Sequence, residues 1–383
     1  MNQMPLIKGW CPGAWQPMAS GDGLLVRVRP FLGRLTRRQA LALCDGAERF
    51  GTGLIEVTNR ANLQLRGVPE QHWSELLAHL AEHGLVDSDP DTERRRNMLV
   101  TPDWQAGDDT HQLATRLMAR LGDLPELPGK VGFAIDAGTA PLLAGVSADF
   151  RVERSADGGL LVRADGHARG TAVTSVEEAV EGLVRLAHWF VDSGGWEAGR
   201  MRRHQALLPS WAPRQALPAA CRDRPVLGQH PRGLLIGIPF GRVTAPALRE
   251  VVQGALVGDV RVTPWRRLWI EGGMPDCTGG LPTDEEDPRL VVDACPGAPW
   301  CNQASVETRR LAEALASQVP GSVHVSGCRK GCARRQPAAL CLTGRDGRFD
   351  LIVEGRADGV PEVTGLSEAE VLDYLKHHFP AGA

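Results

Sequence analysis

The sequence predicts an α+β protein built from two copies of one unit, related by a pseudo-twofold axis. The first observation is an internal repeat about 205 residues apart, in which strand, helix, strand and strand follow in the same order. The second is that each copy leads into a longer segment with strands and helices of its own. The third is the apolar and polar alternation in the last strand of each copy, which is typical of half-buried strands. The predicted architecture is A-B-A′-B′.

The two copies match element by element. The first copy is predicted to contain a strand, a helix opened by Thr36 and two further strands, at 23–28, 36–50, 53–60 and 61–67. The second copy is predicted to contain the same elements, its helix opened by Thr244, at 233–238, 244–256, 259–266 and 267–272. Both copies begin with Gly-Leu-Leu, and Thr58 aligns with Thr263. Two unrelated α/β units are the alternative, but the matched beginnings favour duplication.

The segments that follow the copies differ from each other in sequence. The first is predicted to contain helices at 111–121 and 176–191 and strands near 131–135 and 160–163. The second is predicted to contain helices at 302–316 and 368–377 and a strand at 322–326. Linkers rich in proline or glycine are expected at 203–231 and 279–288. The expected domains are an N-terminal arm with the first copy, a first α/β domain, the second copy and a cysteine-bearing domain, at 1–85, 86–225, 226–285 and 286–383.

Composition limits the class of protein. The chain has 383 residues, is 43% hydrophobic and 23% charged, and contains no apolar run long enough for a signal peptide or a membrane span. A cytoplasmic location is therefore expected. The net charge of −3 gives no general attraction to nucleic acid. Nine cysteines in such a chain, an odd number, indicate metal binding rather than a framework of disulfides.

Four cysteines have the spacing of a metal site. Cys295 and Cys301 form C-x5-C, and Cys328 and Cys332 form C-x3-C further along the chain. Two short loops that each supply two thiolates are typical of a 4Fe–4S cluster. Structural zinc is the main alternative, although five residues between paired ligands exceed its usual spacing. Unrelated buried thiols are the third possibility.

The other five cysteines are predicted to have different roles. Cys44 and Cys341 lie in apolar patterns and are expected in the core, whereas Cys221 and Cys277 are expected in loops. Cys11 begins a Cys-Pro-Gly-Ala phrase that recurs at Cys295, so it is a candidate for a position near the active site.

These features together resemble the nitrite and sulfite reductase superfamily. The resemblance rests on the paired cysteines, the duplication and the phrase Thr-Asn-Arg-Ala-Asn-Leu-Gln-Leu at 58–65, and it covers nearly the whole chain. It implies ferredoxin-like half-domains that pack as one pseudo-symmetric sheet, each followed by an α/β domain. It also implies a tetrapyrrole in the cleft beside the cluster. The reductases carry two lysines in a Leu-Pro-x-Lys-x-Lys phrase; here Lys130 keeps the first, and Gly132 replaces the second.

Basic residues at strand ends are the candidates for binding the tetrapyrrole. Guanidinium groups bind carboxylates with two parallel hydrogen bonds, and tetrapyrroles of this kind carry acetates and propionates. Arg60 and the Arg96-Asn97 pair match the superfamily's cleft positions most closely. The predicted substrate-binding residues are Arg60, Arg66, Arg96, Asn97, Lys130, Arg266, Arg267 and Lys330. The run at 200–203 is interpreted as a polar surface.

Three phrases narrow the resemblance: Cys-Pro-Gly-Ala at 11–14 with Pro-Met-Ala-Ser-Gly-Asp-Gly at 17–23, Thr-Pro-Trp-Arg at 263–266, and Ser-Gly-Cys-Arg-Lys-Gly-Cys-Ala at 326–333. They most resemble the oxygen-dependent branch of the superfamily, which acts in aerobic cobalamin biosynthesis. The resemblance implies hydroxylation of precorrin-3A at C20 with γ-lactone formation, using dioxygen and an external electron donor such as an NADH-linked reductase. A mononuclear non-haem iron would suit that chemistry, with His324 and His204 as weak ligand candidates. The alternative is a siroheme-dependent sulfite or nitrite reductase, and a non-enzymatic electron carrier is the third reading. No nucleotide-binding motif is present in the sequence.

Overall fold

A computed structural model describes residues 10–254, 256–319 and 321–378. The first nine residues of the predicted N-terminal arm and the last five of the predicted cysteine-bearing domain lie outside the described residues.

The first copy contains the predicted strand, helix, strand and strand, with short additions. Its strands are β1 (Met18–Ser20), β2 (Gly23–Val28), β3 (Arg34–Leu35), β4 (Leu54–Val57) and β5 (Leu63–Val68), and its helices are α1 (Arg37–Phe50) and α2 (Trp73–Glu82). Thr36 caps α1 as predicted, because its side chain accepts a hydrogen bond from the backbone of Gln39 and the Gln39 side chain caps the backbone of Thr36 in return. The strands run in the order β1-β2-β5-β4.

The first α/β domain follows. Its elements are α3 (Pro90–Arg95), β6 (Met98–Val100), α4 (Asp109–Ala119), β7 (Phe133–Asp136), β8 (Phe150–Arg154), β9 (Leu160–Ala164), β10 (Thr171–Val173), α5 (Val176–Asp192) and α6 (Gly195–Ala198). The sheet order is β10-β9-β8-β7-β6, with parallel pairing from β6 to β8 and antiparallel pairing from β8 to β10.

The second copy repeats the first and exchanges one strand with it. Its elements are β11 (Gly228–His230), β12 (Gly233–Gly237), β13 (Arg242–Thr244), α7 (Ala245–Gln253), β14 (Val257–Val262) and β15 (Arg267–Gly272). The second sheet has the order β11-β12-β15-β14-β3, so β3 of the first copy pairs with β14, while β13 pairs with β4. Apolar residues of both copies form one core, in which α1 packs against α7.

The last domain has the topology of the first α/β domain. Its elements are β16 (Val292–Ala294), α8 (Arg309–Leu315), β17 (Val323–Ser326), β18 (Ala338–Arg345), β19 (Arg348–Gly355), β20 (Val363–Leu366) and α9 (Glu368–His378). The order β16-β17-β18-β19-β20, again parallel and then antiparallel, repeats the first domain strand for strand. The predicted α+β duplication is therefore confirmed.

Two predicted helices are shorter than expected. The helix predicted at 302–316 is only Arg309–Leu315, because the preceding backbone is bound to the cysteine loops: the Ser305 N–H donates to the Gly327 carbonyl at 3.2 Å. The helix predicted at 244–256 ends at Gln253, where Gly254 follows.

The turns between the last two strands of each copy have the same register. The Thr58 N–H donates to the Asn62 carbonyl at 2.9 Å, and the Thr263 N–H donates to the Arg267 carbonyl at 3.1 Å, so the two turns are alike. Ala61 and Arg266 both have left-handed backbones, with φ of 51° and 58°. Arg266 therefore corresponds to Ala61 in the repeat, in agreement with the alignment of Thr58 with Thr263.

Candidate functional site

Two neighbouring parallel strands carry the paired cysteines. Cys295 follows β16 and Cys328 follows β17, and these strands pair side by side, so their carboxyl ends meet at one edge of the sheet. The loop after Cys295 turns back at Gly297, whose carbonyl accepts from the Cys301 N–H at 2.8 Å. The loop after Cys328 turns through Gly331, whose N–H donates to the Cys328 carbonyl at 3.4 Å.

The structure brings the four thiols into one region. Cys301 interacts electrostatically with each of the other three, and Cys332 also interacts with Cys295 and Cys328. In the described part of the chain, however, no three His, Cys, Asp or Glu side chains are close enough to hold one metal ion, and that includes these cysteines. A four-iron cube is wider than one ion, and its cysteine ligands stand correspondingly further apart.

Glycines and backbone N–H groups shape the region around Cys295. The Gly327 N–H donates to Cys295 Sγ at 3.1 Å. A Cβ on Gly327 would lie 2.5 Å from the Ala304 Cβ, and one on Gly297, whose φ is 71°, would lie 2.6 Å from the Thr308 hydroxyl. Burial raises the pKa of the Cys295 thiol to about 11, although N–H groups of Gly327 and Gly297 oppose the shift. Such donors stabilise the negative charge of a sulfur-ligated cluster.

The remaining cysteines lie apart from this region or in other settings. Cys44 and Cys341 are buried in the core, and Cys221 and Cys277 are exposed, as the sequence predicted. Cys11 is half-buried and contacts the Arg27 side chain.

A strip of polar side chains crosses the face of the first sheet that is turned away from the apolar core. Arg27 on β2 donates to Gln64 Oε1 on β5 at 2.6 Å, and Gln64 donates to Glu56 Oε2 on β4 at 3.2 Å. Arg66 completes the strip with a 3.4 Å contact to the same Glu56 oxygen. Burial lowers the pKa of Arg27 to about 10, because a charged guanidinium is costly away from water.

One end of this polar strip meets the cysteine loop. Arg66 donates through Nη2 to the Trp300 carbonyl at 2.7 Å, and Arg309 donates through Nη2 to Glu56 Oε1 at 2.6 Å. Trp300 immediately precedes Cys301, and Arg309 begins the short helix after the same loop. The strip therefore connects the first copy directly to the segment that holds two of the four thiols.

The other end of the polar strip meets the first α/β domain. Arg60 donates to the Lys130 carbonyl at 3.2 Å, and the Asn97 amide donates to the Val131 carbonyl at 2.6 Å. A Cβ on Gly132 would lie 2.6 Å from Arg60 Nη2 and 2.9 Å from Asn97 Nδ2. The structure thus places Arg60, Asn97 and Lys130 together. Arg27, Cys11 and Arg29 lie within electrostatic range of Arg60.

Two of the predicted arginines are occupied by protein groups. Arg66 is 3% exposed and is held by Asp22, Glu56, Ser20 and the Trp300 carbonyl. Arg96 is equally buried, donates to Asp87 and Glu93 at 2.7 Å each and to the Arg29 carbonyl, and stacks on Phe31. The guanidinium groups of Arg66 and Arg96 are hydrogen-bonded to other parts of the protein, so they stabilise the fold and are not available to bind a substrate carboxylate.

The other three predicted residues lie elsewhere. Arg266 donates to Asp293 and to the Ala333 carbonyl, Arg267 donates to Glu285, and both line a separate cavity of about 520 Å³ beside the last domain. Lys330 lies on the cysteine loop, where its charge acts on Cys328 and Cys332. The expected convergence of all the basic residues on one cleft is not found.

The equivalent face of the second sheet is mainly apolar. Strand pairing places Leu235, Trp269 and Arg261 where the first copy has Arg27, Gln64 and Glu56. Trp269 is 6% exposed and packs against a small apolar cluster with Leu235. Of these three residues only Arg261 is charged, and it is held by Glu271, so the row of connected polar side chains is a feature of the first sheet.

Sequence reasoning missed several residues in or beside the polar strip. Arg27 and Gln64 lie in strands that were predicted correctly, Arg29 directly follows the first of these strands, and Arg200 lies in the run interpreted as a polar surface. The signal was available in β2, where Val26 and Val28 face the core and Arg27 between them must face the other side. No helix among the described residues is both long and apolar enough to cross a membrane.

Comparison with known proteins agrees with the predicted fold. A family model for the nitrite/sulfite reductase ferredoxin-like half domain matches residues 16–83, which confirms the predicted character of the first copy. A ferredoxin–nitrite reductase of Synechococcus elongatus is 27% identical over 96% of this chain and 87% of its own length. The solved NirA protein of Mycobacterium tuberculosis has a TM-score of 0.56 at 18% identity, covering 92% of this chain and 79% of that one, and it supports the fold alone.

One relative is similar enough to establish the family. A precorrin-3B synthase of Sinorhizobium sp is 32% identical over 92% of this chain and 84% of its own length. The chain therefore belongs to the precorrin-3B synthase family, within the nitrite and sulfite reductase superfamily.

Proposed function

We propose that this chain is an oxygen-dependent monooxygenase that converts precorrin-3A to precorrin-3B in aerobic cobalamin biosynthesis. The observation that carries the proposal is the polar strip on the first sheet, which runs from Arg60 to the cysteine loop, whereas the equivalent face of the second sheet carries a small apolar cluster. A polycarboxylate tetrapyrrole on this face would meet guanidinium groups at one end and the cysteine region at the other.

We further propose that Cys295, Cys301, Cys328 and Cys332 hold a 4Fe–4S cluster. The coupled thiols, the N–H donor on Cys295 and the glycines that leave room for it support this assignment. When bound, such a cluster accepts and passes on single electrons. For a second iron, the described residues offer no group of ligands, and the buried His324 has only the Cys341 sulfur, 3.6 Å from Nδ1, as a partner. We therefore assign no step to it.

The chain's own side chains orient the substrate in this proposal. Arg60 and the neighbouring Arg27 would fix carboxylate arms, so that C20 faces the cysteine region. In the overall reaction one oxygen atom of O₂ enters the substrate as the C20 hydroxyl, coupled to closure of the γ-lactone by the ring A acetate. The other oxygen atom leaves as water, with two electrons from a donor and two protons.

The electron donor is proposed to be a separate protein linked to NADH. Cys332 is exposed, and the surface beside it carries Arg329, Arg335 and Arg356 in addition to Lys330. A basic surface beside the cysteines on a chain with net charge −3 suits a small acidic electron carrier.

Gly132 counts against the siroheme reductase alternative. The second lysine of the reductases would stand at this position, but a side chain there would collide with Arg60 and with the backbone oxygen of Asn97, 2.7 Å from the added Cβ. The anion-reducing arrangement of two lysines therefore cannot form without displacing Arg60.

The test is turnover of precorrin-3A by anaerobically purified protein, supplied with NADH, ferredoxin and ferredoxin reductase under ¹⁸O₂. We expect a product heavier by one labelled oxygen atom and no product without O₂. A product that forms without O₂, or a visible Soret band from extractable siroheme, would favour the reductase alternative.

A further inference from the structure

A cavity of about 350 Å³ opens beside Arg60 in the first α/β domain. Its charged and hydroxyl-bearing lining consists of Ser147, Arg151, Asp165, Arg200, Arg202 and Arg203, and we call it the Arg200 cavity. It lies where the chain leaves α6, next to the start of β8.

A buried carboxylate connects the Arg200 cavity to Arg60. Asp149 is fully buried, and its Oδ1 accepts from Arg200 Nε at 2.8 Å and from the Met201 N–H at 2.9 Å. Its Oδ2 accepts from the Gly132 N–H at 3.0 Å, and Gly132 is the glycine that touches Arg60. The cavity and the Arg60 end of the polar strip are therefore neighbours in one rigid arrangement.

The cavity has more positive than negative charge. Four arginines line it, and Asp165 is the one acidic residue in the lining, 3.7 Å from Arg202. The Arg151 guanidinium donates hydrogen bonds to the carbonyls of Leu143 and Val146, so it is already engaged within the protein.

Arg200 and Arg203 have side-chain N–H groups that lack an acceptor among the described residues. Arg200 uses Nε on Asp149 and Nη2 on Ser147, and within the described chain its Nη1 has no hydrogen-bond acceptor. The Arg203 side chain likewise has no ion-pair partner in the described residues.

The positive charges of Arg60 and Arg200 also lie close to each other where the polar strip meets the Arg200 cavity. Burial lowers the pKa of Arg60, and the charge of Arg200 lowers it further, while Asp149 only partly compensates. Asp149 is hydrogen-bonded to Arg200 and acts on Arg60 only through space, so a further anion beside the two guanidinium groups would stabilise both. A volume of about 350 Å³ admits short carboxylate arms, while the macrocycle itself would remain over the sheet.

We propose that the Arg200 cavity binds a second carboxylate arm of the tetrapyrrole whose first arm is held at Arg60, with Arg200 and Arg203 as the residues that contact it. This inference rests on the proposed function, because it assumes a polycarboxylate tetrapyrrole on the first sheet. It assigns a substrate-positioning role to the arginine run at 200–203.

The experiment measures binding of uroporphyrin III, a stable tetrapyrrole with acetate and propionate arms, to the full-length protein by fluorescence titration. The variants are Arg60→Gln, Arg200→Gln and Arg203→Gln, with Arg116→Gln as the matched control. Arg116 is an exposed arginine on α4 of the same domain and is paired with Glu177. Arg203→Gln is the decisive variant, because the Arg203 side chain has no hydrogen-bond or ion-pair partner among residues 10–254, 256–319 and 321–378.

We expect Arg200→Gln and Arg203→Gln each to weaken uroporphyrin binding by about tenfold or more, since each loses a charge-assisted hydrogen bond. Arg116→Gln is expected to bind like the wild type, and Arg203→Gln to keep the wild-type unfolding temperature.

Three results would overturn the inference. If Arg60→Gln weakens binding but Arg203→Gln and Arg200→Gln do not, the cavity is not a substrate subsite, and the proposed function survives. If phosphate raises the unfolding temperature of the wild type but not of Arg203→Gln, while both bind uroporphyrin equally, the cavity is a site for inorganic anions. If the wild type binds no uroporphyrin, or Arg60→Gln has no effect, the proposed function fails together with the inference.

Discussion

Glu56 and Arg309 form a buried ion pair between residues that are 253 positions apart, with Arg309 Nη2 2.6 Å from Glu56 Oε1. Glu56 lies on β4 of the first copy and Arg309 on α8 of the cysteine-bearing domain. Glu56 is 7% exposed and Arg309 4% exposed. Among the described residues, Nε and Nη1 of Arg309 have no hydrogen-bond partner. The pair therefore fixes the cysteine loop against the polar strip.

Breaking this pair should destabilise the protein strongly. Glu56→Gln leaves a buried arginine without its carboxylate, and we expect a loss of about 3–5 kcal/mol in the free energy of unfolding. Urea denaturation measures it. Arg310→Gln, which removes the adjacent but exposed arginine from its pair with Glu368, should cost at most about 1 kcal/mol. Equal losses in the two variants would contradict the role assigned to the buried pair.

Acid should weaken the same contact. Burial raises the pKa of Glu56, but the charges of Arg309 and Arg66 outweigh it and hold that pKa below the ordinary value of 4.5. The unfolded chain then takes up a proton at higher pH than the folded chain does. The stabilisation is present above pH 4.5 and is lost as the pH falls through the lower, folded value. Urea midpoints between pH 7 and pH 3 should fall less steeply in Glu56→Gln than in the wild type; parallel curves would contradict this.

We expect the apolar cluster around Trp269 on the second sheet to contribute to the stability of the fold and not to ligand binding. Trp269→Ala removes a large buried side chain from its contacts with Leu227 and Leu235, at an expected cost of about 3–5 kcal/mol. Uroporphyrin affinity should remain that of the wild type. Gln64 has the position in the first sheet that Trp269 has in the second, and it accepts a hydrogen bond from Arg27. Gln64→Ala should therefore weaken uroporphyrin binding. If Trp269→Ala keeps its fold but binds uroporphyrin more weakly, the ligand contacts the second sheet and the prediction is contradicted.

The basic surface beside Cys332 should set the rate at which an acidic donor delivers electrons. Arg335→Glu and Arg356→Glu reverse two exposed charges of that surface. Stopped-flow reduction of the holoprotein by a plant-type ferredoxin should slow by about tenfold or more at low ionic strength, and the difference should shrink as salt is added. Arg348→Glu, an exposed arginine paired with Glu370 in the same domain, is the control. Unchanged rates in the first two variants would place the donor elsewhere.

Much of the fold could be predicted from the sequence, because the information is local. Thr36 and Thr244 cap helices through their own side chains, and apolar alternation marks strands that bury one face. The helix predicted at 302–316 was too long because its first half is governed by distant partners. The Ala298 N–H donates to the Val306 carbonyl at 2.8 Å, and the Thr308 hydroxyl donates to the Cys295 carbonyl at 2.6 Å.

The basic residues were harder to predict, because the role of an arginine depends on the carboxylates around it. Arg60, Arg66 and Arg96 were all expected at strand ends, whereas Arg66 lies within β5 and Arg96 directly follows α3. Asp22 and Glu56 pair with Arg66, and Asp87 and Glu93 pair with Arg96. Arg266 was expected in the same cleft as Arg60, whereas it contacts Asp293 and the Ala333 carbonyl in the cysteine-bearing domain. The exchange of β3 and β13 between sheets has no signal in a single sequence.

The most direct test of the account is the metal and sulfide content of the four-cysteine region. Anaerobically purified protein should contain about four iron and four acid-labile sulfide atoms per chain, and after reduction it should give a cluster signal in electron paramagnetic resonance. Cys332→Ser should lose that signal, while Cys341→Ser, which changes a core thiol outside the proposed ligand set, should keep it. Zinc in place of iron, an absence of labile sulfide, or a wild-type signal in Cys332→Ser would contradict the proposed cluster.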